Sequence, residues 1–370
     1  MSEYLVSARK YRPATFDTVV GQQALVKTLK NAIAQNQLAH AYLFCGTRGV
    51  GKTTTARIFA KTINCTNRTA DGEACGQCDS CKTFDEGRSM NIHELDAASN
   101  NSVDEIRALI EQVRIPPQIG KYSVYIIDEV HMLTASAFNA FLKTLEEPPS
   151  YAIFILATTE KHKILSTILS RCQVYDFSRI TVDDIVNHLK NIAEKEGVTI
   201  DIDALNAIAV KSDGGMRDAL STFDQIVSFC GKNITYKDIT ESLGILDFEH
   251  FFKFVDSALN NDVKASLLLL NEILLKGFTV ENFVTGLASH LRDLLVSKDA
   301  ATLSLLSVSE GIKKRYQEQA AKCSNEFLYE ALDLAAQCES DSRPSKNKRL
   351  IAELMLIRIC QLSDQKKNQP

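Results

Sequence analysis

The sequence predicts an α/β nucleotide-binding domain, a parallel sheet with helices on both faces, followed by helical segments to the end of the chain. Three observations predict it. Short, wholly apolar runs at 42–45, 124–127 and 152–157 have the length of strands and the two-sided hydrophobicity of strands buried on both faces, as parallel strands are. The first run passes directly into Gly46-Thr-Arg-Gly-Val-Gly-Lys-Thr53, a glycine-rich turn that opens a helix. The second delivers Asp128 and Glu129 to the end of its strand, where doubly wound sheets place their ligands.

Composition sets the outer bounds. A chain of 370 residues can build two or three cores, and 45% hydrophobic with 24% charged residues is ordinary for a soluble protein. There is no apolar run of membrane-spanning length, and Met1-Ser2-Glu3-Tyr4 leads straight into polar residues rather than a signal peptide, so a cytoplasmic location is expected. A formal net charge of -4 argues against coating nucleic acid by bulk charge, although a local basic surface stays open. Ten cysteines in a cytoplasmic chain are not expected to form disulfides.

In chain order, Ala8-Arg9-Lys10-Tyr11-Arg12-Pro13 is extended by its proline. Leu25, Leu29 and Ile33 then form the stripe of a half-buried helix over 23–35. The glycine-rich turn carries the complete G-x-x-x-x-G-K-[ST] pattern, whose backbone N–H groups point at phosphate oxygens from the positive end of the following helix. Candidate ATP-binding residues are therefore Gly46, Thr47, Gly49, Val50, Gly51, Lys52, Thr53 and Thr54. Lys52 reaches the β and γ phosphates and Thr53 ligands Mg²⁺.

After the next helix, Cys65, Cys75, Cys78 and Cys81 lie in a polar loop that offers thiols little apolar cover. Four thiolates at this spacing fill a tetrahedral Zn²⁺ site with no position left for water, which makes the site structural. Cys45, Cys172, Cys230, Cys323, Cys338 and Cys360 sit in apolar or helical contexts and read as core residues. A strand follows at 91–96. His93 alternates there with apolar neighbours and reads as a packed strand histidine. Ser102 with Glu105 forms a capping box for a helix running to Val113, and Arg107 and Arg114 on it suit either phosphates or a solvated face.

The run at 123–128 presents Asp128 as an Mg²⁺ ligand and Glu129 as the base that polarises the attacking water. A helix over 135–146 stops at Pro148-Pro149, and the strand at 152–157 brings up Thr158 and Thr159, short hydroxyls that could sense a γ phosphate; Thr159 is taken as the catalytic candidate. By chemistry alone Arg171, in Ser170-Arg171-Cys172, is one more surface arginine. Caps at Thr181/Asp184 and Thr235/Asp238 and a break at Gly214-Gly215 give 181–243 the pattern of a small helical lid. From Leu246 onward no chemical motif appears: Asp247 caps a helix, Lys276-Gly277 ends another, and Phe283, Leu287, Leu291 and Leu294 line one face of a third. The final helix, through Leu350, Leu354, Ile357 and Cys360, is too apolar to stand free in water.

The stretches ARKYRP, VVGQ, GTRGVGKTT, the four cysteines, IIDEVHML, FNAFLKTLEEPP, ATTE, ILSRC and GGMRDALS together resemble the gamma/tau ATPase family of the bacterial DNA polymerase III clamp loader, within the AAA+ superfamily. The resemblance implies that Tyr11, Arg12, Val19 and Val20 pack on the adenine, that Arg217 meets the phosphates from the lid of its own subunit, and that Arg171 is a finger for the neighbouring subunit's site. It also implies an ATPase domain over 1–180 with a zinc module at about 64–83, a lid over 181–243 and a helical collar over 244–370 that joins a five-subunit ring. Expected partners are the other loader subunits, the sliding clamp and primer–template DNA held by its backbone, with no membrane. Two rivals are a non-catalytic scaffold subunit, disfavoured by intact Lys52, Thr53, Asp128 and Glu129, and a DNA-translocating motor, disfavoured by the cysteine module and Ser-Arg-Cys.

Overall fold

The structure is a computed structural model that describes residues 5–244, 246–306, 308 and 310–362. Met1, Ser2, Glu3 and Tyr4, read above for a leader, lie outside the described residues. The chain forms two compact units, one of residues 1–192 with 209–225 and one of 193–208 with 226–370.

In the first unit, five parallel strands, β1 (Ala41–Cys45), β2 (Ile92–Asp96), β3 (Ser123–Asp128), β4 (Ala152–Thr158) and β5 (Gln173–Asp176), lie in the order β2-β3-β4-β1-β5. Strand alternation divides their side chains between two cores. Tyr42, Phe44, Val124, Ile126, Ile153 and Ile155 meet the helices Gln23–Ala34 and Lys52–Asn64 on one face. Leu43, Tyr125, Ile127, Phe154 and Leu156 meet Val103–Val113 and Ala135–Glu146 on the other. Each large side chain so buried contributes about 1.5–3 kcal/mol, and this two-sided burial is why the strands read as unbroken apolar runs. The predicted capping box at Ser102 forms, with Ser102 Oγ accepting from Glu105 N. His93 packs in the sheet as expected, its ring stacked on Tyr125 at 4.9 Å.

Several elements depart from the sequence reading. Ala8, Arg9 and Lys10, expected to be extended, lie in a short helix, Ser7–Lys10, because the restriction that Pro13 imposes reaches only the residue before it. β5 was not predicted; it is a four-residue strand paired on one side to β1, with only Tyr175 buried, so it carries no apolar run. A short helix, Asp79–Asp85, closes the cysteine loop and seats Phe84 in the core.

The second unit is mainly helical. Phe248–Leu259, Val263–Leu275, Val280–Val296, Glu310–Lys322, Asn325–Ser342 and Lys348–Gln361 surround a core in which Phe283, Leu287, Leu291 and Leu294 are fully buried, the stripe expected of them. On the last helix the buried face is Ala352, Met355, Leu356, Ile359 and Cys360, while Leu350 and Leu354 are exposed. A two-strand parallel pair, Thr199–Ile200 with Asn233–Ile234, also lies here. His290 is buried with its Nε2–H donating to Gln319 Oε1 at 3.1 Å and its Nδ1 accepting from the Tyr316 hydroxyl at 2.9 Å. Among the described residues no helix is long and apolar enough to cross a membrane.

Candidate functional site

The C-terminal ends of β2 and β3 and the turn that follows β1 line one cavity of about 790 Å³, while Thr159, just past β4, lies outside its lining. β1 feeds the glycine-rich turn, whose Val50 plugs into the core at 1% exposure and fixes the loop from beneath. Gly51 stands at φ +103 immediately before the helix that starts at Lys52, so the turn delivers its N–H groups to the positive helix end. Lys52 Nζ donates to the carbonyls of Gly46 and Thr47 at 2.8 and 2.9 Å. Those bonds use two of its three donors and hold the ammonium under the loop. Burial lowers the Lys52 pKa, and the nearby charges of Glu129 and Asp128 work against that shift.

Thr53 Oγ1 donates to Asp128 Oδ2 at 2.6 Å, joining the two candidate Mg²⁺ ligands in one pair. The other oxygen, Asp128 Oδ1, accepts from Glu129 N at 2.9 Å. Glu129 takes a left-handed backbone at φ +48, uncommon for a residue with a side chain, as the chain turns sharply off β3 into the cavity. Thr159 Oγ1 donates to Glu129 Oε2 at 3.0 Å. Thr158 makes other bonds: its side chain is buried and bonded to His131 Nδ1 at 3.0 Å and Glu160 N at 3.0 Å, and His131 Nδ1 in turn lies 3.4 Å from Glu129 Oε2. Of the two threonines, then, Thr159 is the one joined to Glu129.

Tyr11, Arg12, Val19 and Val20 line the cavity with Gly49 to Thr54 and Arg217. Arg12 Nε donates to Thr54 Oγ1 at 3.1 Å, tying the amino-terminal arm to the phosphate-loop helix. Gly46 and Thr47 are not part of the lining; they contribute through their carbonyls. The sequence reading missed Asp96, His131, Met216 and Leu220. Asp96 had a usable signal, since it ends a strand in register with Asp128. Met216 and Leu220 flank Arg217 at helical spacing, and both line the cavity with it.

The family description "DNA polymerase III, delta subunit" matches residues 21–181, "DNA polymerase III clamp loader subunit, ATPase lid domain" matches 184–232, and "DNA polymerase III subunits gamma and tau domain III" matches 234–369. DNA polymerase III subunit gamma of Buchnera aphidicola subsp. Baizongia pistaciae is 34% identical over 97% of this chain and 98% of its own length. The chain belongs to the DNA polymerase III gamma/tau family of clamp-loader subunits. Subunit tau of Bacillus subtilis is 41% identical over 98% of this chain, which spans 64% of that relative's length. The Thermotoga maritima RuvB Holliday junction branch migration motor shares 22% identity with 67% of this chain and 78% of that structure, at a TM-score of 0.47. The parallel sheet followed by an ATPase lid and a helical domain III is the AAA+ architecture expected from the sequence.

In this gamma/tau chain Arg171 does not line the cavity. It sits just past the short helix Ser166–Leu169, where it donates to Glu146 Oε1 and Thr167 O, both at 2.6 Å. All ten cysteines are free thiols. The sulfurs of Cys65, Cys75, Cys78 and Cys81 lie within 4.8 Å of one another, which suits the corners of a tetrahedron with Zn–S bonds of about 2.3 Å. Cys75 N donates to Cys65 Sγ at 3.3 Å and Cys78 N to Cys75 Sγ at 3.3 Å, an arrangement that favours thiolates. Burial pushes the Cys78 thiol up, but hydrogen bonds from Thr66 and Cys81 outweigh it and bring the group down to about 6. A soft cation fits this donor set.

Proposed function

We propose that this chain is the ATP-driven motor subunit of the DNA polymerase III clamp loader, opening the sliding clamp and loading it onto primed DNA. The observation that carries this reading is the set of side chains gathered at the ends of β1, β3 and β4: Lys52, Thr53, Asp128, Glu129 and Thr159. A non-catalytic scaffold subunit would have no need of them. Lys52 neutralises charge on the β and γ phosphates, while Thr53 and Asp128 hold Mg²⁺, which when bound offsets charge on the transferring phosphoryl group. Glu129 orients and deprotonates the attacking water, and Thr159 aims the Glu129 carboxylate from just past the end of β4. Arg217 meets the phosphates of its own subunit. Arg171, outside the cavity, serves that of a neighbour.

We further assign residues 1–180 to the ATPase domain, 181–243 to the lid and 244–370 to a collar that holds a five-subunit ring. The four cysteines take one structural Zn²⁺. DNA is held by its backbone through helix ends and basic residues such as Arg107, and the protein works in the cytoplasm. The rival reading as a DNA-translocating motor has no observation in its favour here.

ATP turnover by the chain alone, with the other loader subunits, and with clamp and primed DNA tests this function. Turnover should rise with each addition. Glu129→Gln should bind ATP near wild-type affinity, lose turnover by orders of magnitude, and fail to release the clamp. Turnover indifferent to clamp and DNA would refute the loading function, and normal turnover by Glu129→Gln would refute its mechanism.

A further inference from the structure

The cysteine loop carries a side chain that its metal chemistry does not require. Glu73, two residues before Cys75, is 7% exposed, yet it belongs to a loop that is otherwise polar and open. Its carboxylate accepts from Phe16 N at 3.0 Å and Asp17 N at 3.3 Å, and pairs with Lys30 Nζ at 2.8 Å. Phe16 and Asp17 open a 3₁₀ turn, Phe16–Thr18, in which Phe16 is buried and Val19 N bonds back to Phe16 O at 3.1 Å. The next two residues, Val19 and Val20, line the cavity.

The loop itself is built to hold Glu73 still. Thr69 N bonds to Glu73 O at 3.0 Å and Glu73 N to Thr69 Oγ1 at 3.1 Å, closing a tight turn. Arg68 donates to Thr62 O at 3.1 Å and Ile63 O at 3.4 Å, carbonyls at the far end of the helix that begins at Lys52, and to Ile33 O at 3.4 Å. A short path therefore leads from the phosphate-loop helix by hydrogen bonds to Arg68, along the loop to Glu73, and from there by hydrogen bonds to the segment bearing Val19 and Val20.

We propose that Glu73 is a positioning residue of the nucleotide site, through which the cysteine module sets the wall formed by Val19 and Val20. The inference rests on reading the cavity as an ATP site with those two valines against the base. The buried Phe16 N–H and the partly buried Asp17 N–H both depend on this one carboxylate, so its removal frees the turn rather than the phosphate cradle. Binding of the base is weakened while Lys52, Thr53 and Asp128 keep their geometry.

Calorimetric titration of the full chain with Mg-ATP and with inorganic tripolyphosphate tests this. In Glu73→Ala, Kd for ATP should rise about tenfold, the equivalent of 1.4 kcal/mol. Tripolyphosphate affinity and kcat at saturating ATP should stay at wild-type values. Glu73→Gln, whose single amide oxygen can still accept from the buried Phe16 N–H but not from Asp17 N as well, should recover part of the ATP affinity and covers the case in which the alanine variant fails to fold. Equal losses for ATP and tripolyphosphate, unchanged ATP binding, or no rescue by glutamine would each overturn the proposal. A wild-type chain that bound tripolyphosphate but gained nothing from the base would instead remove the reading on which it rests.

Discussion

Replacing Gly49 with alanine perturbs the site where the phosphate loop comes against the backbone of Gly215. Gly49 has φ +80, and a Cβ built there would stand 3.1 Å from Gly215 Cα, 3.4 Å from Gly215 C and 3.5 Å from Arg217 Cβ. A left-handed backbone costs an alanine about 1–2 kcal/mol. Crowding against backbone, which cannot swing aside as a side chain would, adds about 1–3 kcal/mol. The total, about 2–5 kcal/mol, appears either as lost stability or as a shift of the loop away from the turn that carries Arg217. In a unit of this size the first outcome lowers the melting temperature by about 2–4 °C per kcal/mol. The second lowers ATP affinity. Gly87→Ala is the control, because Gly87 has φ +70 with nothing near its absent Cβ and so incurs the backbone cost alone. Thermal melts and ATP titrations of the two variants separate the contributions. If Gly49→Ala matched Gly87→Ala in both, the close approach would carry no energetic weight and the reasoning would fail.

Lys52→Ala and Arg171→Ala chains should each be nearly inactive alone, and their mixture should recover part of the ATPase activity, since an arginine finger is worth about 10³ to 10⁵ in rate; no recovery would place Arg171 in its own subunit's site. Cys78→Ser should remove the metal, expected at about one zinc per chain, and lower the melting temperature more than the turnover of the folded fraction. Metal-free protein with unchanged melting would end that reading. His290 is buried as the neutral ring, which lowers its pKa to about 4 from 6.5. Unfolding exposes it to protonation, so stability is complete above pH 6.5 and falls by about 3 kcal/mol as pH drops to 4, where the loss levels off. His290→Gln should flatten that part of the stability curve, and an unaltered curve would dismiss the histidine as its source.

Much of the site was legible because its chemistry needs fixed residues at fixed spacing. Gly46 to Thr53 and the Asp128-Glu129 pair declare themselves, and the structure sets Gly49 to Thr53 with Asp128 and Glu129 around one cavity. The four cysteines also meet as their spacing requires. β5 was hidden because an edge strand of four residues buries one side chain and therefore has no apolar signature. Thr158 and Thr159 could not be told apart by type, because both faces of the sheet are covered and either could point into a core. Only the pleat of β4 decides between them. Glu73 was hidden for another reason: besides Lys30, its partners are backbone N–H groups far away in sequence, and backbone has no residue type to recognise.

β4 also acts as a ruler. It is hydrogen-bonded to β1 on one side and β3 on the other, with Cys45 beside Thr158 and Ile127 beside Leu156. A slip of one residue would exchange the two faces along its whole length. Thr159 would then turn into the place of Thr158 and lose Glu129, while His131 would face the wrong neighbour, although every functional residue was still present. For this strand the number of residues between Ala152 and Thr159 carries more information than their identities. A single deletion there, with no change to any motif, would disconnect the water-activating carboxylate from its support.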